Sequence, residues 1–300
     1  MRDDAESPSA TEPEPAYRLG CPVFGARSWV GPILPAGTPA GEQLAAYARL
    51  FSTVEGNGTF YGLPSAETVA RWLEQTPPRF RFAFKVPRRI SHDLALVGFE
   101  RELAQLEALF RPLADRLGPW MLQLPPTAGR AALPRVERFL DRASDAFRWS
   151  VELRHPDWFD GGVHERDLHR ALARRGAERV CLDPRALRAG PAEDASTRAA
   201  RDKKPRVPPR FVGLGPTPVV RLIGRNDPDR CDAVCAEWAP VVARWIEEGR
   251  RPFVFCHAPD EHHAPALCRR FHDHLRRHAP RLPPLPEWPL PPRGPQLRLL

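Results

Sequence analysis

Hydrophobic and polar positions alternate in a regular rhythm along this 300-residue chain. Short apolar, β-rich runs are separated by longer stretches whose apolar residues recur every three or four positions. The first is the mark of a strand covered on both faces, the second of an amphipathic helix. Strands are predicted at 17–24, 52–56, 80–86, 120–124, 147–153, 179–183, 219–223 and 252–257. Helices are predicted at about 41–51, 64–74, 98–117, 133–142, 165–175, 232–248 and 264–277, with Ser65 as the N-cap of the second.

Eight strands alternating with helices make consecutive parallel βαβ units. The predicted fold class is therefore α/β, a single-domain (β/α)8 TIM-like barrel over residues 17–280. A doubly wound open sheet is the competing topology. The number of units, and the lack of a Gly-x-Gly-x-x-Gly after the first strand, favour the barrel. Residues 184–218 are Pro-rich and read as a long irregular insertion between strands six and seven. Residues 1–16 are polar, acidic and aperiodic, and are expected to be disordered. Residues 281–300 hold seven prolines and are expected to form an extended tail.

Composition narrows the picture. No run approaches the roughly 20 apolar residues that span a bilayer, and the first residues lack the apolar core of a secretory leader. A cytoplasmic location with no membrane partner is expected; the oligomeric state is left open. Cys21, Cys181, Cys231, Cys235, Cys256 and Cys268 contain no Cys-x-x-Cys pair, and are expected to be reduced, buried side chains. The net charge is +8, yet Lys85, Lys203 and Lys204 are the only lysines among 45 basic residues, and the arginines are spread along the chain. The one concentration, residues 198–210 (RAARDKKPRVPPR), reads either as a solvated loop or as a phosphate-binding segment.

Barrel enzymes place their sites at the C-terminal ends of the strands. In this chain those ends carry Glu55 and Asn57, Lys85, Gln123, Glu152 with Arg154 and His155, Asp183, Arg221 and His257. So many polar and ionisable residues, at nearly every strand where its apolar run stops, predict a ligand pocket. Glu55, Glu152, Lys85 and His155 are the candidate catalytic residues. The two glutamates form an acid/base pair if they face one another, or each pairs with a cation such as Lys85 or Arg154. Lys85 is either a Schiff-base nucleophile or a holder of an anion. His155 and His92 either shuttle protons or anchor loops. Asn57, Tyr61, His92, Gln123, Arg154, Trp158, Asp183, Arg221 and His257 are the candidate binding residues. Lys85, Arg154 and Arg221 would clamp a phosphate or carboxylate. Tyr61, Phe60 and Trp158 either stack on a base or sugar or pack the rim. No cofactor is identified. A divalent metal on Glu55, Glu152, Asp183 and His257, or on His257, His262 and His263, is the less favoured option.

These residues also carry a resemblance. Residues 51–61 (FSTVEGNGTFY), 63–65 (LPS) with Arg71-Trp72, and 80–87 (FRFAFKVP) with Ile90-Ser91-His92 take part in it. So do 122–126 (LQLPP), 151–156 (VELRHP) and 220–224 (VRLIG). In this order and spacing, over roughly residues 19–280, the chain resembles the YecE-like family, a domain of unknown function. The resemblance implies a β/α barrel with a groove at its strand ends, similar in shape to sugar-isomerase and abasic-site-endonuclease barrels, and it implies nucleic acid as a partner. The chain departs from the family pattern at Cys21-Pro22-Val23-Phe24, where many members have Ser-Gly-Trp. It departs again at Cys256-His257-Ala258-Pro259, where many have asparagines. The expected function is action on a phosphate- or sugar-containing small molecule, hydrolysis being one such chemistry. A non-catalytic nucleic-acid-binding protein that uses its basic surface is the alternative, and a ligand-sensing barrel a third.

Overall fold

The structure is a computed structural model that describes residues 14–192 and 194–288. Its strands are β1 (Arg18–Gly20), β2 (Thr53–Gly56), β3 (Arg81–Lys85), β4 (Leu117–Gln123), β5 (Arg148–Glu152), β6 (Glu178–Asp183), β7 (Val219–Ile223) and β8 (Phe253–His257). Its helices are α1 (Gln43–Leu50), α2 (Ala66–Gln75), α3 (Glu100–Phe110), α4 (Leu133–Arg142), α5 (Val163–Arg174), α6 (Arg185–Arg188), α7 (Ala195–Lys203), α8 (Asp232–Glu247) and α9 (Ala264–His278). Every ladder is parallel, in the order β1-β8-β7-β6-β5-β4-β3-β2. The eight strands thus curl into a nearly closed barrel with helices outside, the fold class expected from the pattern.

The β1/β2 seam has no ladder of its own and is closed by a few bonds. The Glu55 N–H donates to the Cys21 carbonyl at 3.0 Å. The Tyr47 hydroxyl, from α1, accepts from the Cys21 N–H and donates to the Thr53 carbonyl, both at 2.8 Å. Gly20 lets the two strands approach, since a Cβ there would sit 1.9 Å from the Thr53 carbonyl oxygen. Tyr47→Phe is expected to cost about 1–3 kcal/mol, because it strands buried backbone groups. Urea unfolding measures this; a loss under about 0.5 kcal/mol would mean the seam closes without the hydroxyl.

Several bounds differ from expectation for identifiable reasons. The first strand stops at Gly20 rather than residue 24, since Pro22 has no N–H to give a ladder. The third helix ends at Phe110; Pro112 starts a 3-10 turn over Arg111–Arg116, and β4 begins at Leu117, three residues early. Ser65 does cap α2, its side chain accepting from the Thr68 N–H at 3.2 Å.

The insertion at 184–218 is not irregular throughout. It holds α6 and α7, and Asp194 caps α7 by accepting from the Thr197 N–H at 2.7 Å. Leu187 and Val207 from this segment pack on Leu182 of β6 and Ile223 of β7. This small apolar cluster seats the insertion over one side of the barrel mouth.

After α9 the chain turns at residues 280–282 and runs without helix or strand to residue 288, docked on the barrel: Leu282 is buried, and the Arg269 guanidinium lies 4.2 Å from the Trp288 ring centroid. The expectations for residues 1–13 and 289–300 lie outside the described residues. All six cysteines are free and buried. Among the described residues, no helix is long and apolar enough to cross a membrane.

Candidate functional site

Side chains alternate between the two faces of a strand, and this parity decides what reaches the barrel interior. Val54, Phe82, Phe84, Trp120, Leu122 and Val151 belong to the core between strands and helices, whereas Ala83, Met121, Val180, Val219, Phe253 and Phe255 fill the inside. One step further along the inward positions, at the C-terminal ends, stand Glu55, Lys85, Gln123, Glu152, Arg221 and His257. They form a charged layer on an apolar plug.

Arg221, fully buried, is the centre of that layer. Its Nε and Nη2 donate to the two oxygens of Glu55 at 2.7 and 2.6 Å, and its Nη1 donates to Glu152 Oε2. Glu152 Oε1 accepts from Arg154 Nε at 2.7 Å, and Arg154 Nη2 donates to Gln123 Oε1 at 2.9 Å. Glu55 Oε2 accepts from His257 Nε2 at 3.0 Å, and Lys85 Nζ stands 3.8 Å from Glu55 Oε1. Residues as far apart in the chain as Glu55 and His257 thus form one network.

The electrostatics follow. Burial alone would raise both glutamates, but Arg221 outweighs it, helped by His257 at Glu55 and by Arg154 at Glu152. Both carboxyls are held well below the usual range and are ionised. Burial pushes His257 down to about 4 against the pull of Glu55, so it is neutral and its Nε2 carries the proton. Burial, with Arg221 beside it, lowers Lys85 to about 8.

Lys204, named in the sequence only as one of three lysines and as part of the basic segment 198–210, and not among the candidate site residues, joins the site. It follows α7 in the insertion. Burial and the nearby Arg221 and Lys85 bring it down to about 7, while Glu152 and Glu55 pull it upward. Its ammonium forms neither a hydrogen bond nor an ion pair among the described residues. Two carboxylates therefore face four cationic side chains, Arg221, Arg154, Lys85 and Lys204, leaving an excess of positive charge at the mouth. The signal in the sequence was the rarity of lysine, but nothing in the insertion's irregular pattern said which way Lys204 would point.

The other candidates divide. His92 lies at the rim on the β3–α3 loop, in a single π turn over Arg89–Asp93 followed by Ala95 and Leu96 with φ of 47° and 62°. Its ring meets Phe60 edge-on at 5.1 Å, and burial with Arg88 and Arg154 lowers its pKa. Phe60 also lies 5.8 Å from Lys85 Nζ. Tyr61, 84% exposed, packs on Phe60 at the rim. Asn57 Nδ2 donates to the Pro22 carbonyl at 2.9 Å and ties two mouth loops together.

Three candidates need correction. Asp183 is one residue past the inward Leu182, so it faces the helices. There it accepts from Trp238 Nε1 at 2.9 Å and pairs with Arg185 at 2.8 Å. Trp158 is fully buried and its Nε1 donates to the Ala128 carbonyl at 2.7 Å, so it packs between loops and cannot stack on a ligand. His155 accepts the Asp157 N–H at its Nδ1 at 3.1 Å and caps the turn Pro156–Phe159, so it anchors this loop and has no bond to the mouth network among the described residues. With Asp183 turned away and Arg221 between the glutamates, the described residues bring together no group of three or more His, Cys, Asp or Glu side chains fit to hold a metal.

Comparison with known proteins agrees with this architecture. The sequence is 39% identical over 247 residues to the UPF0759 protein YecE of Escherichia coli (strain K12), covering 82% of this chain and 90% of that protein. Crystal structures of DUF72 family proteins from Thermotoga maritima and Enterococcus faecalis superpose with TM-scores of 0.66 and 0.65. Their identities are 20% and 18%; they cover 88% and 87% of this chain, and 99% and 97% of theirs. At such identities the match speaks for the fold. The family described as "Protein of unknown function DUF72" matches residues 18–290, and the chain belongs to it.

Proposed function

We propose that the barrel mouth binds a phosphate- or sugar-containing small molecule through an anionic group, held by Lys204, Lys85 and Arg154 above the Glu55–Arg221–Glu152 floor. The observation that carries this reading is the pair of lysine ammonium groups left without hydrogen-bond partners over carboxylates already taken by arginine. A buried ion network contributes little net stability compared with apolar packing of the same volume, so its presence at the mouth favours a role in binding. Guanidinium and ammonium donors are also the usual partners of phosphate oxygens.

The same geometry supports a reading of the proton chemistry. Glu55 and Glu152, ionised and locked on Arg221, are poor proton donors near neutrality. Lys204 and Lys85, at about 7 and 8, are the groups that exchange protons there. A reaction at this site therefore relies on lysine for proton abstraction or donation.

The test is calorimetric titration with a panel of sugar phosphates and with inorganic sulfate, from pH 6.5 to 8.5. An anion favours the charged lysines, so binding takes up protons. Affinity is greatest below the lower lysine value and is lost as pH rises through about 7 and then about 8. Weakening by roughly tenfold or more across that range is expected. Sulfate, which does not titrate there, separates the protein's protons from the ligand's. Millimolar ligands that fail to bind, or an affinity flat with pH, would overturn the reading.

A further inference from the structure

The β6–β7 insertion holds a cavity lined by none of the residues of the mouth network. It lies between α6, α7 and the chain just after α7. Its volume is about 790 Å3, inside the roughly 300–1,000 Å3 span of small-molecule sites. Arg185, Arg188, Arg198, Arg201 and Arg206 line it, and Asp202 is the acidic residue among the described lining residues.

Charge balance sets this pocket apart from an ordinary salt-bridged surface. Arg185 is neutralised by Asp183 and Glu237. Arg188 and Arg201 are not matched in that way. Arg188 Nη2 donates to the carbonyls of Arg201 and Lys204 at 3.0 and 2.5 Å, and its Nε is buried with no partner. Arg201 donates to the carbonyls of Leu187 and Gly190 at 2.9 and 2.8 Å. Carbonyl oxygens satisfy hydrogen bonds but leave the charge in place. Arg206 is exposed and forms no ion pair among the described residues. Burial, then the charges of Arg206 and Arg201, draw the Arg188 guanidinium below its ordinary value against the weaker pull of Asp202.

We propose that this arginine pocket is an anion site in its own right, which takes a phosphoryl group through Arg188, Arg201 and Arg206. The planar fork of arginine suits the tetrahedral oxygens of a phosphate. The site goes beyond the mouth and uses different residues. Lys204, which lies between Arg201 and Arg206 in the chain, belongs to the mouth, where Arg221 and Lys85 act on its ammonium. The phosphoryl group belongs either to a small phosphorylated molecule or to a nucleotide chain.

The test is calorimetric titration of the full chain with inorganic pyrophosphate at low salt, on the parent, Arg206→Glu, Lys85→Met and a control, Arg166→Glu on α5. Two binding events are expected in the parent. Arg206→Glu weakens one of them at least tenfold, Lys85→Met weakens the other, and Arg166→Glu changes neither by more than about twofold. A single event that survives Arg206→Glu overturns the arginine pocket and leaves the mouth reading standing. A single event lost in Arg206→Glu and indifferent to Lys85→Met supports the pocket and overturns the mouth. Equal weakening by Arg166→Glu means unspecific charge attraction and overturns the pocket. A ten-nucleotide DNA strand that displaces pyrophosphate from the Arg206-dependent site identifies a nucleotide chain as the source. Failure to displace it identifies a small phosphorylated molecule.

Discussion

Replacing Arg221 with methionine is expected to destabilise the protein by about 3–5 kcal/mol, the typical loss when one partner of a buried ion pair is removed. Methionine is of similar length and apolar, so the change leaves little cavity. What remains is two fully buried carboxylates, Glu55 and Glu152, whose shared cation is gone. Burial would push both upward, against the remaining pull of Arg154 on Glu152 and of Lys85 on Glu55. Denaturant unfolding of Arg221→Met measures the loss, which should shrink as pH falls toward the range where the freed carboxyls become neutral. The triple variant Arg221→Met, Glu55→Gln, Glu152→Gln removes charge from both sides and should recover most of the stability. A loss below about 1 kcal/mol in the single variant, or no recovery in the triple, would mean that the network is not held together by its charges.

Lys204→Met and Lys85→Met are expected to weaken binding of a phosphate-bearing ligand in the mouth by about ten- to a hundredfold each, since a charge-assisted hydrogen bond contributes roughly 1.5–3 kcal/mol. Their stability effect should be opposite in sign to that of Arg221→Met. Each lysine has its folded value below its unfolded one, so the free protein pays to keep it charged. The unfolded chain therefore binds more protons than the folded one from about pH 7 for Lys204 and about pH 8 for Lys85 up to the unfolded lysine value of about 10.4. Stability of the free protein consequently rises with pH through that window, and each substitution should flatten the rise. Thermal unfolding with and without sulfate checks both halves. A Lys204→Met protein that binds as tightly as the parent would remove the insertion from the mouth.

How much of this was legible without coordinates depends on how local the signal was. The strand ends were found because their chemistry is written in sequence order: Phe82-Ala83-Phe84-Lys85 stops being apolar just where the barrel opens, and Arg221 interrupts the apolar run Val219–Ile223. Asp183 carried the same signal and misled. Its face depends on a period of two counted from Leu182, and a one-residue offset moves a side chain from the mouth to the helices. Trp158 and His155 were near the mouth in sequence, but their bonds to the Ala128 carbonyl and the Asp157 N–H close local turns. Such bonds compete with any ligand for the same atoms.

The sequence by itself determined that this is an eight-unit β/α chain, which runs become strands, and that the strand ends are polar. Those properties rest on periodicity and on turn and cap residues, which act over a few positions. Only the tertiary structure decided that Glu55 and Glu152 meet on one guanidinium, that His257 is neutral, and that Lys204 stands in the field of the mouth. The ring closure brings residues more than a hundred positions apart within hydrogen-bond reach, and burial then sets their charges. Lys204 is placed by Leu187 and Val207 packing on Leu182 and Ile223, an apolar contact between an insertion and a barrel rim that no local pattern encodes.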